Sequence, residues 1–126
     1  MKRMMMAVVL AVAGIAAADS DVDTFKTVLE KVADAETQYR IGNCYAEGKG
    51  LVKDEGEAFK WYRKAAEQGH ADAQDSLAKC YYYGRGVTTN ATQVVYWFRK
   101  AAAQGQLQSI HNLGSCYLYV KGEKGW

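Results

Sequence analysis

The sequence predicts an all-α array of stacked helical pairs, and three observations carry that expectation. Trp61-Tyr62-Arg63-Lys64-Ala65-Ala66-Glu67-Gln68-Gly69 returns as Trp97-Phe98-Arg99-Lys100-Ala101-Ala102-Ala103-Gln104-Gly105, 36 residues further on. Cys44, Cys80 and Cys116 keep the same 36-residue spacing. No proline occurs in the 126 residues. A constant period of this length marks a stack in which each unit buries its apolar side only against the next.

The first 18 residues stand apart from the array. Met1-Lys2-Arg3 is a short basic start, Met4 to Ile15 is apolar with Gly14 as its one interruption, and Ala16-Ala17-Ala18 precedes Asp19. This is the layout of a secretory signal peptide cut after Ala18. The alternative is an uncleaved anchor, but the run is shorter than the ~20 residues a spanning helix needs, so no stable membrane anchor is expected. Lys2 and Arg3 account for the whole net charge of +2, since the remaining 14 basic residues equal the 14 acidic ones. Without a basic excess or cluster, a nucleic-acid partner is not expected.

From Asp19 to Asp34 the chain reads as one N-terminal capping helix, with Phe25, Val28, Leu29 and Val32 on one face. The first full repeat runs over 35–70 and the second over 71–106, while 107–126 holds a partial third repeat or C-terminal cap. In the first repeat, Ala35, Gln38, Ile41, Gly42, Cys44 and Tyr45 follow helical spacing, and Gly48 and Gly50 then turn the chain. Asp54 with Glu57 predicts a capping box for the second helix, which carries Ala58, Trp61, Tyr62, Ala65 and Ala66 on one face before Gly69 closes it. The second repeat matches it through Ala71, Gln74, Leu77, Ala78, Cys80 and Tyr81, then Gly84 and Gly86, an Asn90/Gln93 cap and Gly105.

Gly42, Ala78 and Gly114 share one column, and glycine inside a helix costs ~1 kcal/mol against alanine. A small residue there implies a close neighbour, either backbone or a ring such as Trp61 or Trp97. The cysteines read as buried free thiols. Equivalent positions in stacked helices lie about 8–10 Å apart, and a disulfide needs Cα atoms within about 7 Å. One cysteine per repeat does not converge on a metal, and no metal or other cofactor is expected.

The consensus Ala-x-x-Gln-x-x-Ile/Leu-Gly/Ala-x-x-Tyr-x-x-Gly-x-Gly-Leu/Val, an acidic or Asn cap, then Trp-Tyr/Phe-Arg-Lys-Ala-Ala-x-Gln-Gly, resembles the Sel-1-like repeat, a relative of the tetratricopeptide repeat. The resemblance covers residues 35–119 and, loosely, the helix before them. It implies a right-handed α-solenoid of helix–turn–helix units with adaptor roles between proteins, in a family whose bacterial members are often exported. The third copy departs from the pattern: Val120 stands where Gly48 and Gly84 stood, Glu123 replaces Leu51 and Val87, and the chain stops at Trp126. Either α-helical capping with cover from Trp126 or a longer array accounts for the exposed side of Leu113 and Tyr117.

Chemistry has few candidates. Ser76-Leu77-Ala78-Lys79 fits the Ser-x-x-Lys nucleophile motif, and some cysteine-rich members of the family resembled are described as penicillin-binding or weakly β-lactam-hydrolysing. The companion Ser-Asp-Asn and Lys-Thr-Gly motifs are absent, and those relatives carry two cysteines per repeat where this chain carries one. His70 reads as a turn residue and His111 as a surface residue. Asn90-Ala91-Thr92 fits a glycosylation sequon, but the helix-cap reading is stronger. No catalytic residue is assigned.

Binding has more support. Off the core face of the first helices lie Tyr39 and Asn43, then Asp75, Lys79, Tyr82 and Tyr83, then His111, Asn112 and Tyr119, with Arg40, Glu47, Ser76 and Ser115 beside them. Steps of three and four place each set on one side of its helix, and stacking aligns the sets into a wall. The expectation is an exported, non-enzymatic adaptor holding a protein or peptide on that wall. The alternatives are a penicillin-interacting enzyme acting through Ser76 and a structural element of an envelope complex.

Overall fold

A computed structural model of the protein describes residues 33–123, with side chains to residue 118. The expected signal peptide and nearly all of the expected capping helix lie outside the described residues, as do the side chain of Tyr119 and Trp126. Among the described residues five helices follow one another: α1 (Ala35–Glu47), α2 (Glu55–Glu67), α3 (Ala71–Tyr83), α4 (Ala91–Ala103) and α5 (Leu107–Glu123). No strand occurs among the described residues. Each helix packs on its neighbours in chain order, so the array is an α-solenoid of helical pairs.

The helix ends repeat as faithfully as the sequence. Asp34, Asp54 and Asn90 accept the backbone N–H three residues on, at 2.8, 3.0 and 3.1 Å. His70, expected only as a turn residue, caps α3 through Nδ1, which accepts from Ala73 N at 3.1 Å. These bonds satisfy donors that a helix start leaves without intrahelical partners. Left-handed Gly48 and Gly84 close α1 and α3, with φ of 69° and 70°. Val120 sits at the third such position. A β-branched residue disfavours that conformation, and α5 runs on for 17 residues where the other four helices have 13.

The core is built of large rings against small faces. Ala58, Tyr62, Ala65 and Ala66 of α2 meet Ala73, Leu77, Ala78 and Cys80 of α3, and Val94, Trp97 and Phe98 of α4 continue the same cluster. The close neighbour of Gly42 is Tyr62, not Trp61 or Trp97. A Cβ at position 42 would sit 2.8 Å from two of the Tyr62 ring carbons. The Tyr62 hydroxyl donates to Asn43 Oδ1 at 2.6 Å, which ties that ring in place. Among the described residues nothing lies within 4 Å of such a Cβ at Gly114, so the close approach is seen at 42 and not at 114.

Two buried glutamines join the layers. Gln74 donates to the carbonyl of Ala66 at 3.1 Å and accepts from Gln104 Nε2 at 2.9 Å. Gln104 Nε2 also donates to the Gly69 carbonyl at 2.8 Å, across the repeat boundary. Gln68 makes the equivalent bond to Gln38. A buried amide left unpaired would cost about 1–3 kcal/mol, and here each one closes a contact between helices.

All three cysteines are free, as expected from their spacing, with Cys80 and Cys116 buried and Cys44 half-buried. Burial pushes the Cys80 thiol up to about 11 from an ordinary 9.0, and burial likewise raises Tyr62. An unfolded chain would release the thiol proton near pH 9, whereas the folded one holds it until about 11. Between those values the folded state binds more protons, so its stability falls as pH rises. The Cys80 contribution is fully present below pH 9, and roughly 2–3 kcal/mol of it is lost by pH 11. Thermal melts from pH 8 to 11 should show this decline, and Cys80→Ala should make it shallower. An identical slope in the variant would refute the assignment to Cys80.

Candidate functional site

Two successive grooves open on the first-helix side, displaced from each other by one repeat. The larger, about 880 Å³, is lined by Tyr81, Tyr82 and Tyr83 of α3, Asn90, Val94 and Phe98 at the start of α4, and Gln108, Asn112 and Ser115 of α5. The smaller, about 350 Å³, is lined by Lys53, Glu55 and Tyr62 around α2, Ala46 of α1, and Ser76, Cys80 and Arg85 in and after α3. Their linings correspond by the 36-residue period: Tyr62 with Phe98, Ala46 with Tyr82, Ser76 with Asn112, Cys80 with Cys116. Lys79 belongs to both grooves and marks the seam between them.

Of the residues expected on the wall, Lys79, Tyr82, Tyr83 and Asn112 come together around the larger groove. Tyr82 and Tyr83 are 52% and 61% exposed and pack edge to face at 4.8 Å, leaving ring area open. The Arg85 guanidinium lies 4.5 Å over the Tyr83 ring. Tyr39 and Asn43 are turned to other work: Tyr39 stacks on His70 at 4.7 Å, and Asn43 accepts from Tyr62. His111 is exposed on α5 and lines neither groove. Thr89, Asn90 and Gln108 are lining residues that the wall reasoning missed. The period points to Thr89, because Lys53, 36 residues earlier, lines the smaller groove.

Asp75 is not on the exposed wall. It is 5% exposed, accepts the Ser109 hydroxyl at 2.7 Å and pairs with the Lys79 ammonium at 3.0 Å. Its carboxylate joins α3 to α5 and holds the Lys79 ammonium at the seam. Ser76 and Lys79 do line one groove, but the Lys79 ammonium is engaged with Asp75. The Ser-x-x-Lys pair therefore lacks the disengaged amine that such a nucleophile uses as its base.

At the far end of the array the apolar exposure matches expectation at Tyr117 and differs at Leu113. Tyr117 is 46% exposed, its hydroxyl accepting from Arg99 at 2.6 Å, while Leu113 packs on the core and Leu107 and Leu118 are 80% and 74% exposed. Among the described residues no helix is long and apolar enough to cross a membrane, and no group of acidic, His or Cys side chains is placed to hold a metal ion.

The family model described as Sel1 repeat matches residues 35–70, 71–106 and 107–125. Solved structures with the same fold include a Sel1 repeat protein from Oxalobacter formigenes, 37% identical with a TM-score of 0.66 over 80% of this chain and 42% of that one. A second is c5321, a protective antigen present in uropathogenic Escherichia coli strains, 36% identical with a TM-score of 0.67 over 76% of this chain and 21% of that one. A third is the cysteine-rich protein B of Helicobacter pylori, 30% identical with a TM-score of 0.60 over 63% of this chain and 59% of that one. The chain thus spans 42% and 21% of the lengths of the first two. No functionally curated protein matches it.

Proposed function

The chain belongs to the Sel1 repeat family, and from that premise we propose that it is an exported, non-enzymatic interaction module holding a protein or peptide along its first-helix wall. The observation that carries this reading is the pair of aligned grooves. The larger offers the open rings of Tyr82 and Tyr83 and the smaller the exposed cations Lys53 and Arg85, and exposed tyrosine is a favourable anchor because a rigid ring supplies contact area at low entropic cost. Export rests on the layout of residues 1–18, and kinship with a protective antigen is in keeping with it. The balanced charge of the remaining chain argues for a protein partner over nucleic acid.

A photoreactive phenylalanine analogue tests the reading. Placed at Tyr83 on the wall, it should yield covalent adducts with a protein of the cell envelope or medium. Placed at Lys60, exposed on α2, it should yield none. Equal adducts from both positions, or none from Tyr83, would overturn it. Lys79 is a poor site for such a probe, because its pairing with Asp75 couples it to the fold.

A further inference from the structure

The two grooves have linings that correspond by the repeat period but differ in chemistry. The smaller holds the cations Lys53, Arg85 and Lys79 against one carboxylate, Glu55. Lys79 is matched by Asp75, while Lys53 and Arg85 make no ion pair among the described residues. The positions that match Lys53 and Glu55 in the larger groove are Thr89 and Ala91, both uncharged. Among the described residues the larger groove has Lys79 as its one charged lining residue and is otherwise rings, amides and small or apolar side chains. Arg85 bridges the two, since its guanidinium covers the Tyr83 ring and lines the smaller groove. A planar guanidinium keeps edge donors free while its face rests on a ring.

We propose that the pair of grooves binds one extended peptide, an Asp or Glu carboxylate entering the smaller groove at Lys53 and Arg85 and an aromatic or bulky aliphatic side chain entering the larger between Tyr82, Phe98 and Asn112. This rests on the wall-binding reading and adds the partner's chemistry to it. Neighbouring first helices are spaced by roughly 8–10 Å, and extended chain advances about 3.3 Å per residue. The acid and the ring therefore stand about two to three residues apart. Lys79 at the seam faces the intervening backbone, where a carbonyl accepts from an ammonium.

The test uses the full chain and fluorescein-labelled 12-residue peptides on a Gly/Ser background, read by anisotropy. One peptide series carries Asp and Phe separated by one to five residues. Others replace Asp with Asn or Lys, or Phe with Ala. The Asp/Phe peptides with separations of about two to three residues should bind best. Asn in place of Asp should weaken binding about fivefold, the scale of an exposed charge pair, and Ala in place of Phe at least tenfold. Lys53→Glu with Arg85→Glu should make the Lys/Phe peptide the better ligand. Both positions are exposed, so circular dichroism should stay unchanged. Equal affinity for the Asp, Asn and Lys peptides would refute the acidic partner and leave the wall reading standing if Tyr83 cross-links. Failure of every peptide to bind would refute the proposal, and the cross-linking result then decides the wall reading separately.

Discussion

Replacing Gly86 with alanine should cost about 2–5 kcal/mol, the largest effect of any single methyl group in the array. Two penalties add. Gly86 has φ of 74°, and a side chain in the left-handed region costs about 1–2 kcal/mol. The new Cβ would also overlap the carbonyl of Glu55, lying 2.6 Å from its carbon and 2.9 Å from Gly56 Cα. Those atoms are backbone in the first turn of α2, so neither can swing aside. The loop must withdraw instead, at the ~1–3 kcal/mol typical of overpacking. A domain of this size has some 5–15 kcal/mol in all. Gly69→Ala provides the control, because Gly69 has φ of 92° but nothing within 4 Å of its would-be Cβ. Urea denaturation followed at 222 nm should show the Gly86 variant losing at least twice as much stability as the Gly69 variant. Equal losses would mean that the contact with α2 carries no weight. The same contact seats the loop that carries Arg85 to the rim of the smaller groove.

The periodic part of this architecture could be read from the chain because each repeat solves its local problem the same way. Asp54 and Asn90 cap equivalent helices, Gly48 and Gly84 end equivalent helices, and Gln38 and Gln74 fill equivalent core positions. The groove residues Lys79, Tyr82, Tyr83 and Asn112 were legible for the same reason, as the positions left over once the core face is assigned. What escaped was fixed by contacts between unlike residues. Tyr39, Asp75 and His111 occupy one column, yet the first stacks on His70, the second is buried and the third is exposed. Only Asp75 has a Ser109 across the repeat boundary to meet it. Nor does period alone tell Tyr62 from Trp61 as the neighbour of Gly42, because adjacent helix positions differ by about 100° and both rings are buried. The sign of the grooves escaped similarly. Lys53 and Arg85 lie in loops, and their approach to one cavity depends on the turn between α3 and α4 folding back over α2.

Asp75→Ala should cost about 2–4 kcal/mol and loosen α5 from the rest of the array. Ser109 is wholly buried and its hydroxyl donates to Asp75. Losing that acceptor leaves a buried donor unpaired, worth about 1–3 kcal/mol. The ion pair adds less than a fully buried one, because the Lys79 side chain is 38% exposed and water resolvates its ammonium. Ser109→Ala removes the donor and nothing else, so it should cost about 1 kcal/mol, and the double variant should recover part of the sum. A coupling of about 1–2 kcal/mol in that cycle is the expected result, measured by chemical denaturation. Additive losses would refute the link between α3 and α5. Asp75→Asn keeps an acceptor for Ser109 and should fall between wild type and alanine. The function should follow the same order, because α5 supplies Gln108 and Asn112 to one wall of the larger groove and Lys79 sits at its seam. Hydrogen exchange at the amides of residues 107–118 should quicken in the alanine variant before those of α2 and α3 change. Uniform quickening throughout would instead place Asp75 in a core shared by the whole array.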